Sequence, residues 1–150
     1  MTAPAPKLDA AGVNALLETA FPGISRTGPH VVEVAPGESE QVEQVLRVRM
    51  VRPCGEGLLR PGGVISGPTL MALADSAAYA LVLAHVGDQL MAVTSQLNMS
   101  FLRGARPGDL TAEAELLRLG RRMAVCDVRL WTEGPERLAA QANVTYALPA

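Results

Sequence analysis

The sequence predicts an α+β domain in which a curled antiparallel sheet is wrapped around one long central helix. Residues 67–86 are apolar on both sides of a helical wheel, so a helix there needs cover nearly all round. Residues 109–117 alternate apolar and polar side chains, which is typical of a half-buried strand. Several such segments flank the apolar stretch, and a curled antiparallel sheet is the cover that they can form.

The elements follow in order without an internal repeat. Residues 1–7 are rich in Ala and Pro, and we expect them to be disordered; residues 8–21 then have the spacing of a short amphipathic helix. Strands are predicted over 30–35 and 41–51, followed by a glycine-rich loop and the long helix, which Ser66 or Gly67 can cap. Four strands follow over 91–102, 109–117, about 124–130 and 138–148. At 150 residues we expect one domain over residues 1–150.

Composition argues against several classes of function. The formal net charge of −2 lacks the positive excess that phosphate-dominated binding needs, so nucleic acid is not an expected partner. The two cysteines form no CxxC pair, which favours reduced thiols in a cytoplasmic protein without a metal site. The first residues do not resemble a signal peptide. We also expect no membrane span, because Asp75 at the centre of the apolar stretch would be costly in hydrocarbon.

Asp75 is the one carboxylate of the apolar helix, and such a group is costly to ionise unless it has a partner. It is either a structural group, paired with an arginine or placed at a subunit boundary, or a general base or nucleophile at the end of a ligand tunnel. No GxSxG elbow occurs, and the two histidines offer no Ser-His-Asp set. We interpret His85, in the last helical turn, as a favourable cation or a packed residue.

The glycine-rich turn before the helix offers a second chemical element. Free backbone N–H groups at Gly67 would lie at the positive end of the helix, ready to bind an oxyanion. Gly67 and Asp75 are eight residues apart, which is about 12 Å along one helix, too far for both to reach one carbonyl. An antiparallel helix of a second copy would bring Gly67 of one chain to Asp75 of the other. The sequence therefore predicts a homodimer or homotetramer with composite sites.

Three stretches, "GGVISGPTLMALAD", "SFLRGARPGDL" and "RLGRRMAVCDVRLW", resemble the hotdog-fold acyl-CoA thioesterases of the phenylacetic-acid-degradation (PaaI) type. In that family a "G-hydrophobic-HGG" turn opens the central helix, and an Asp follows eight residues after the first glycine of the HGG. The resemblance extends over about residues 30–146. It implies that Asp75 activates water or attacks the thioester and that the Gly67 amide polarises its carbonyl. It also implies that Thr94, or the neighbouring Ser95, supplies an orienting hydroxyl.

The same resemblance implies how the substrate is held. No separate cofactor is expected, because coenzyme A is part of the substrate. We expect an apolar acyl tunnel lined by residues such as Met71, Tyr79 and Val82. Arginines near the coenzyme A arm would contact its phosphates through charge-assisted hydrogen bonds; the candidates are Arg103, Arg106, Arg121 and Arg122.

The sequence departs from the family pattern at three positions. Ser66 replaces the motif histidine, Pro68 the second motif glycine, and Arg60 a frequent asparagine. Pro68 has no N–H, so fewer helix-terminal donors face the substrate. The leading hypothesis is hydrolysis of an acyl- or aroyl-CoA to the free acid and coenzyme A. A non-catalytic acyl-CoA binder is the alternative that these departures favour, and an enoyl-CoA hydratase or dehydratase ranks lower because no histidine lies near the Asp75 motif.

Overall fold

The computed structural model describes residues 7–22, 28–36 and 46–150. The predicted disorder of residues 1–6 and the predicted strand residues 41–45 lie outside these ranges; Lys7 lies inside, and its backbone N–H donates to the Ala84 carbonyl at 2.9 Å. The helices and strands, in chain order, are α1 (Ala10–Ala20), β1 (His30–Pro36), β2 (Leu46–Arg52), β3 (Leu59–Arg60), β4 (Val64–Ile65), α2 (Gly67–Val86), β5 (Val93–Phe101), β6 (Leu110–Leu119), β7 (Met123–Trp131) and β8 (Ala140–Ala147).

The main sheet has six strands in the order β1-β2-β6-β7-β8-β5, and each neighbouring pair is antiparallel. The long helix α2 packs against β2, β6, β7 and β8. Along β6 the buried side chains alternate with half-buried ones, as the sequence pattern predicts. The predicted α+β architecture, a large antiparallel sheet packed around a long central helix, is confirmed.

Local signals determine both ends of α2. Ser66 is the N-cap: its Oγ accepts from the Thr69 N–H at 3.4 Å and bonds the Thr69 hydroxyl at 2.8 Å. Pro68 lies in the first turn, where a missing N–H costs little. At the other end Gly87 has a φ of +81°, a backbone conformation that favours glycine, and its N–H donates to Leu83. The predicted bounds of the helix are therefore confirmed.

The prediction that α2 is buried nearly all round is wrong for one face. Leu73, Ala77 and Ala80 are fully buried or almost so, but Pro68 and Met71 are exposed. The reason is that the sheet covers one side of α2, and α1 covers only part of the other. By length and composition alone α2 could cross a membrane, with a mean hydropathy of 1.5, but 61% of its most apolar window is buried inside the domain.

The segment "CGEGLLRPGG", residues 54–63, is predicted as a loop but contains β3, the first strand of a small ladder whose second strand, β4, follows it directly. Strands β3 and β4 pair antiparallel, with Leu59 opposite Ile65 and Arg60 opposite Val64. Gly62 and Gly63 turn the chain between them, with φ of +99° and +73°. Two-residue strands are too short to show an alternating pattern, so the sequence carries no signal for them. The ladder leads the chain directly to the N-cap of α2.

His85 is packed and half-buried in the last turn of α2, which favours the packed-residue alternative over the helix-terminal cation. Burial lowers its pKa from 6.5 to about 4, and its Nε2 has no hydrogen-bond partner within the described residues. Between these two pH values the unfolded chain binds a proton at His85 that the folded chain does not. The free energy of unfolding should therefore fall as the pH falls from 6.5 to about 4.

We expect His85→Leu to remove up to about 3 kcal/mol of this acid destabilisation. Urea unfolding of the wild type and of His85→Leu at several pH values in this range measures the effect, as a difference in how steeply the free energy of unfolding depends on pH. Any change that the substitution makes at neutral pH is subtracted first. Parallel curves for the two proteins below neutral pH would contradict the prediction.

Candidate active site

Asp75 lies midway along α2, half-buried at the edge of its open face. Its Oδ1 accepts a hydrogen bond from the Thr94 hydroxyl at 2.6 Å and another from the Tyr146 hydroxyl at 2.7 Å. The Tyr146 hydroxyl also lies 3.1 Å from the backbone carbonyl oxygen of Asp75. Its Oδ2 accepts no hydrogen bond from any described residue. The carboxylate is thus held through one oxygen and free at the other.

Strand register places the two donors together. In the ladder between β5 and β8, Thr94 lies directly opposite Tyr146, so their side chains share a face of the sheet. The register then shifts by one residue, because Gln96 pairs with Thr145 and Ser95 is left without a partner. This β-bulge aims Thr94 at Asp75, while the Ser95 hydroxyl bonds the Thr145 carbonyl at 3.4 Å. Of the two alternatives for the orienting hydroxyl, Thr94 is the one that contacts the carboxylate.

Tyr146 is the site residue that sequence reasoning missed. It is 3% exposed, on a strand whose buried positions are otherwise apolar. Burial raises the pKa of its phenol well above the ordinary value, and the hydrogen bond to Asp75 acts in the same direction, so the hydroxyl stays protonated. The one signal in the sequence is a tyrosine at a core-facing position of a predicted strand, because a buried tyrosine hydroxyl usually has a polar partner. Nothing in the sequence says that this partner is Asp75.

A cavity of about 80 Å³ lies beside Asp75, between α1, α2 and the sheet. A wider groove of about 470 Å³ meets Asp75 from the side of residues 90–94. The ring of Tyr79 lines both spaces. It packs edge-on against Phe21, with ring centroids 6.0 Å apart, and against Tyr146 at 5.7 Å. The cavity is lined by Leu17, Phe21, Pro29, Met50, Asp75, Ser76, Tyr79 and Tyr146.

The acyl tunnel predicted from the sequence differs from this cavity. Of its three named residues only Tyr79 lines the cavity. Met71 lies on the exposed face of α2, and Val82 is fully buried in the core. Instead, Leu17 and Phe21 of the N-terminal helical segment form part of the wall. How α1 packs on α2 is a tertiary contact, and the motif around Asp75 does not contain it.

The first turn of α2 lies away from Asp75. The Gly67 N–H has no hydrogen-bond acceptor within the described part of the chain. The ring of Phe101 lies against Gly67, since a Cβ built there would be 3.6 Å from it. Because Asp75 is eight positions after Gly67, the two residues are about 12 Å apart along α2. One chain alone does not bring this amide and this carboxylate to the same carbonyl.

The predicted arginines also lie away from Asp75. Arg121 and Arg122 line an open surface cavity of about 520 Å³ at the turn between β6 and β7, together with Arg118. Arg106 pairs with Glu133 at 3.4 Å. The remaining two, Arg60 and Arg103, are exposed. In the described ranges no group of three or more His, Cys, Asp or Glu residues could hold a metal ion.

Comparisons with known proteins show which family this chain resembles. The thioesterase superfamily matches residues 62–139, a range that includes Asp75 and Thr94 and ends before Tyr146. The structure of a provisionally assigned thioesterase from Silicibacter sp. TM1040 is 36% identical, covers 99% of this chain and 96% of its own, and superposes with a TM-score of 0.81.

Two further relatives are more distant. A provisionally assigned thioesterase of Ralstonia eutropha JMP134, described as phenylacetic acid degradation-related, is 29% identical, covers 78% of this chain and 83% of its own, and has a TM-score of 0.64. A provisionally assigned esterase of Thermoplasma acidophilum is 28% identical over 94 residues, which is 63% of this chain and 70% of that protein. Together with the sheet wrapped around α2, these matches show that the chain belongs to the thioesterase superfamily and has its hotdog fold.

Proposed function

We propose that this protein is a hotdog thioesterase of the PaaI type that hydrolyses an acyl- or aroyl-CoA to the free acid and coenzyme A. One observation carries the proposal: Asp75, fixed through Oδ1 and free at Oδ2, lies at the mouth of a largely apolar cavity. In the reaction Oδ2 removes a proton from water, which attacks the thioester carbonyl, or Oδ2 attacks it directly. The C–S bond then breaks and coenzyme A leaves as the thiolate. On the water route the acid is formed directly and the proton on Asp75 passes to the thiolate. If Oδ2 attacks, the anhydride that it forms with the acyl group is hydrolysed by water to the free acid and the Asp75 carboxylate.

The developing oxyanion needs a donor, and we propose the Gly67 amide of a second copy. Among the described strands, β5 lies at the end of the sheet with β8 as its one neighbour, so it can pair with another strand. Val93, Phe101 and Leu102, on or beside β5, are each more than half exposed, which favours an interface there. A copy added across this edge with two-fold symmetry would lay the two α2 helices antiparallel. Each dimer would then have two composite sites.

Coenzyme A would reach the site from the surface. The cavity of Arg121, Arg122 and Arg118 has the size and charge for its phosphates, since guanidinium groups bind phosphate in pairs of hydrogen bonds. Arg103 and Arg106 are further candidates, although Arg106 already has Glu133 as a partner. A cytoplasmic location is part of the proposal, and the free thiols of Cys54 and Cys126 are consistent with it.

The acyl group would occupy the cavity beside Asp75. Its walls are mainly apolar, and Leu17, Phe21 and Met50 contribute to them. At about 80 Å³, it has roughly half the volume of a cavity of about 150 Å³ that holds benzene. The cavity as it stands therefore suits a short acyl chain better than an aromatic ring.

A panel of CoA thioesters tests the proposed function. It runs from acetyl- through butyryl- and hexanoyl- to octanoyl-CoA, with benzoyl- and phenylacetyl-CoA added, and a thiol reagent detects the released coenzyme A. We expect hydrolysis, with the highest kcat/KM among the short chains. Saturable binding without thiol release over hours would indicate a binder instead. Hydration of an enoyl-CoA without thiol release would indicate a hydratase.

Phe21→Ala should change which acyl groups are accepted. Phe21 lines both the cavity and the wider groove, so its removal joins the two spaces. We expect kcat/KM for octanoyl-CoA relative to butyryl-CoA to rise by at least about 10-fold, the effect of fitting a single further methylene, which is worth roughly 1 to 3 kcal/mol. The ratio is measured with the same thiol assay.

Val32→Ala is the matched control for this variant. Val32 is 49% exposed, close to the 50% of Phe21, and it lines neither space. Val32→Ala should leave the ratio of kcat/KM for octanoyl-CoA to kcat/KM for butyryl-CoA unchanged. An unchanged ratio in Phe21→Ala would show that the acyl group lies elsewhere.

A further inference from the structure

We infer that Tyr146 is a positioning residue: its hydroxyl fixes Oδ1 of Asp75 so that Oδ2 is the oxygen presented to the substrate. The inference rests on the proposed thioesterase function of Asp75. It assigns a role to a residue beyond the range 62–139 that the superfamily match covers. It also distinguishes the two oxygens of one carboxylate, which neither the motif nor its spacing does.

The contacts of the hydroxyl support this role. The Tyr146 oxygen lies 2.7 Å from Oδ1 and 3.1 Å from the backbone carbonyl oxygen of Asp75 itself. The side chain of Asp75 is therefore held close to its own main chain. The carboxylate cannot turn Oδ1 toward the cavity without losing the hydrogen bond from Tyr146. The Tyr146 hydroxyl thus contacts both the carboxylate and the main-chain carbonyl of Asp75, and this restricts rotation of the carboxylate.

Thr94 donates to the same oxygen but is a weaker constraint. Its side chain is exposed, so water can compete for its hydrogen bonds with Asp75. Tyr146 is 3% exposed, so water has little access to compete with its hydroxyl. A buried hydrogen bond is costly to leave unmade, because a polar group would then lack a partner. Of the two donors, Tyr146 is the one that keeps the carboxylate in place.

The phenol itself is held rigidly. Strand β8 lies between β5 and β7, and Tyr146 pairs with Thr94 on one side and Ala124 on the other. Its ring packs edge-on against the Tyr79 ring. A catalytic group is held best by residues whose own rotamers are locked by packing on regular elements. Tyr146 meets this description, since both its backbone and its ring are fixed.

Tyr146→Phe tests the role, because it keeps the packed ring and removes only the hydroxyl. We expect kcat to fall by about 10- to 100-fold, the cost of a catalytic group that is misplaced by about 1 Å. KM should change by less than about threefold, because the hydroxyl is not used to bind the substrate. Steady-state kinetics with the best thioester of the panel measure both constants.

A double variant shows whether Tyr146 acts through Asp75. In an Asp75→Asn background the reactive carboxylate is already gone, so adding Tyr146→Phe should leave the residual rate unchanged within about twofold. If the residual rate falls again by as much as in the wild-type background, Tyr146 acts on the substrate directly and the inference is wrong. This comparison is independent of how fast the wild-type enzyme is.

Thr145→Val is the matched control. This variant also removes one hydroxyl. Thr145 precedes Tyr146 on β8, and its side chain points to the opposite face of the sheet. The variant should retain wild-type kcat and KM. Thermal unfolding of every variant shows that it is folded at the assay temperature. A Tyr146→Phe protein that does not fold there would also overturn the inference, because the fold and not the carboxylate would then require the hydroxyl.

The outcomes separate this inference from the proposed function. Turnover at the wild-type rate in the Asp75→Asn variant would contradict both the proposed thioesterase function and the positioning role of Tyr146. If Asp75→Asn loses turnover but Tyr146→Phe keeps the wild-type kcat, the positioning role of Tyr146 is wrong and the proposed function stands. Loss in both, with no further loss in the double variant, is the expected result.

Discussion

Asp75→Asn is expected to lower kcat for thioester hydrolysis by about 10²- to 10⁴-fold, the usual contribution of a positioned general base. An amide cannot take a proton from water, nor can it attack the thioester carbonyl. It has the same shape as the carboxylate, and its oxygen can still accept from Thr94 and Tyr146, so the fold should persist. Thiol release under saturating substrate measures the loss. Asp75→Ala should be equally inactive.

Asp127→Asn is a matched control for this variant. Asp127 is also half-buried and also accepts a side-chain hydrogen bond, from Gln141 at 2.7 Å, but it lines none of the spaces around Asp75. Its activity should equal that of the wild type. Saturable binding of uncleaved thioester to Asp75→Asn would support a role in chemistry over one in binding. Unchanged turnover in Asp75→Asn would end the enzymatic proposal.

Gly67→Pro is expected to lower kcat by about 10²- to 10³-fold, the cost of one oxyanion donor. Proline removes the N–H, and its φ suits the first turn of a helix. Ser66, with φ −66° and ψ 149°, already has the extended backbone that a residue before proline needs. A Cβ at position 67 meets the Phe101 ring at 3.6 Å, an ordinary contact. Because position 67 itself precedes Pro68, a proline there also has a cost to the helical backbone, so the far-UV circular dichroism of the variant must match that of the wild type.

Mixed dimers of Gly67→Pro and Asp75→Asn chains test whether the site is shared. If Gly67 and Asp75 act across the interface, one of the two sites carries both defects and the other carries neither. Purified mixed dimers, isolated with two different affinity tags, should then have about half the wild-type activity. Both parent homodimers should be nearly inactive. Inactive mixed dimers would show that each site is built within one chain, whereas an active Gly67→Pro homodimer would show that the oxyanion donor is another residue.

The sequence by itself determined the features that depend on near neighbours in the chain. The caps of α2 at Ser66 and Gly87 were predictable because a cap involves only residues three or four positions away. The strand pattern of β6 and the unusual position of Asp75 in an apolar helix were equally visible. The distance between Gly67 and Asp75 followed from helix geometry alone. These features are sufficient for the fold class and for one candidate catalytic residue.

Only the tertiary structure decided what surrounds that residue. Tyr146 is 71 positions from Asp75, and it reaches Oδ1 because the β5–β8 register places it opposite Thr94. A one-residue bulge, which has no sequence signature here, makes Thr94 and not Ser95 the second donor. The packing of α1 on α2 places Phe21 at the cavity. Register and helix packing are decided by contacts between distant segments, and a pattern along the chain carries no information about which of these segments meet.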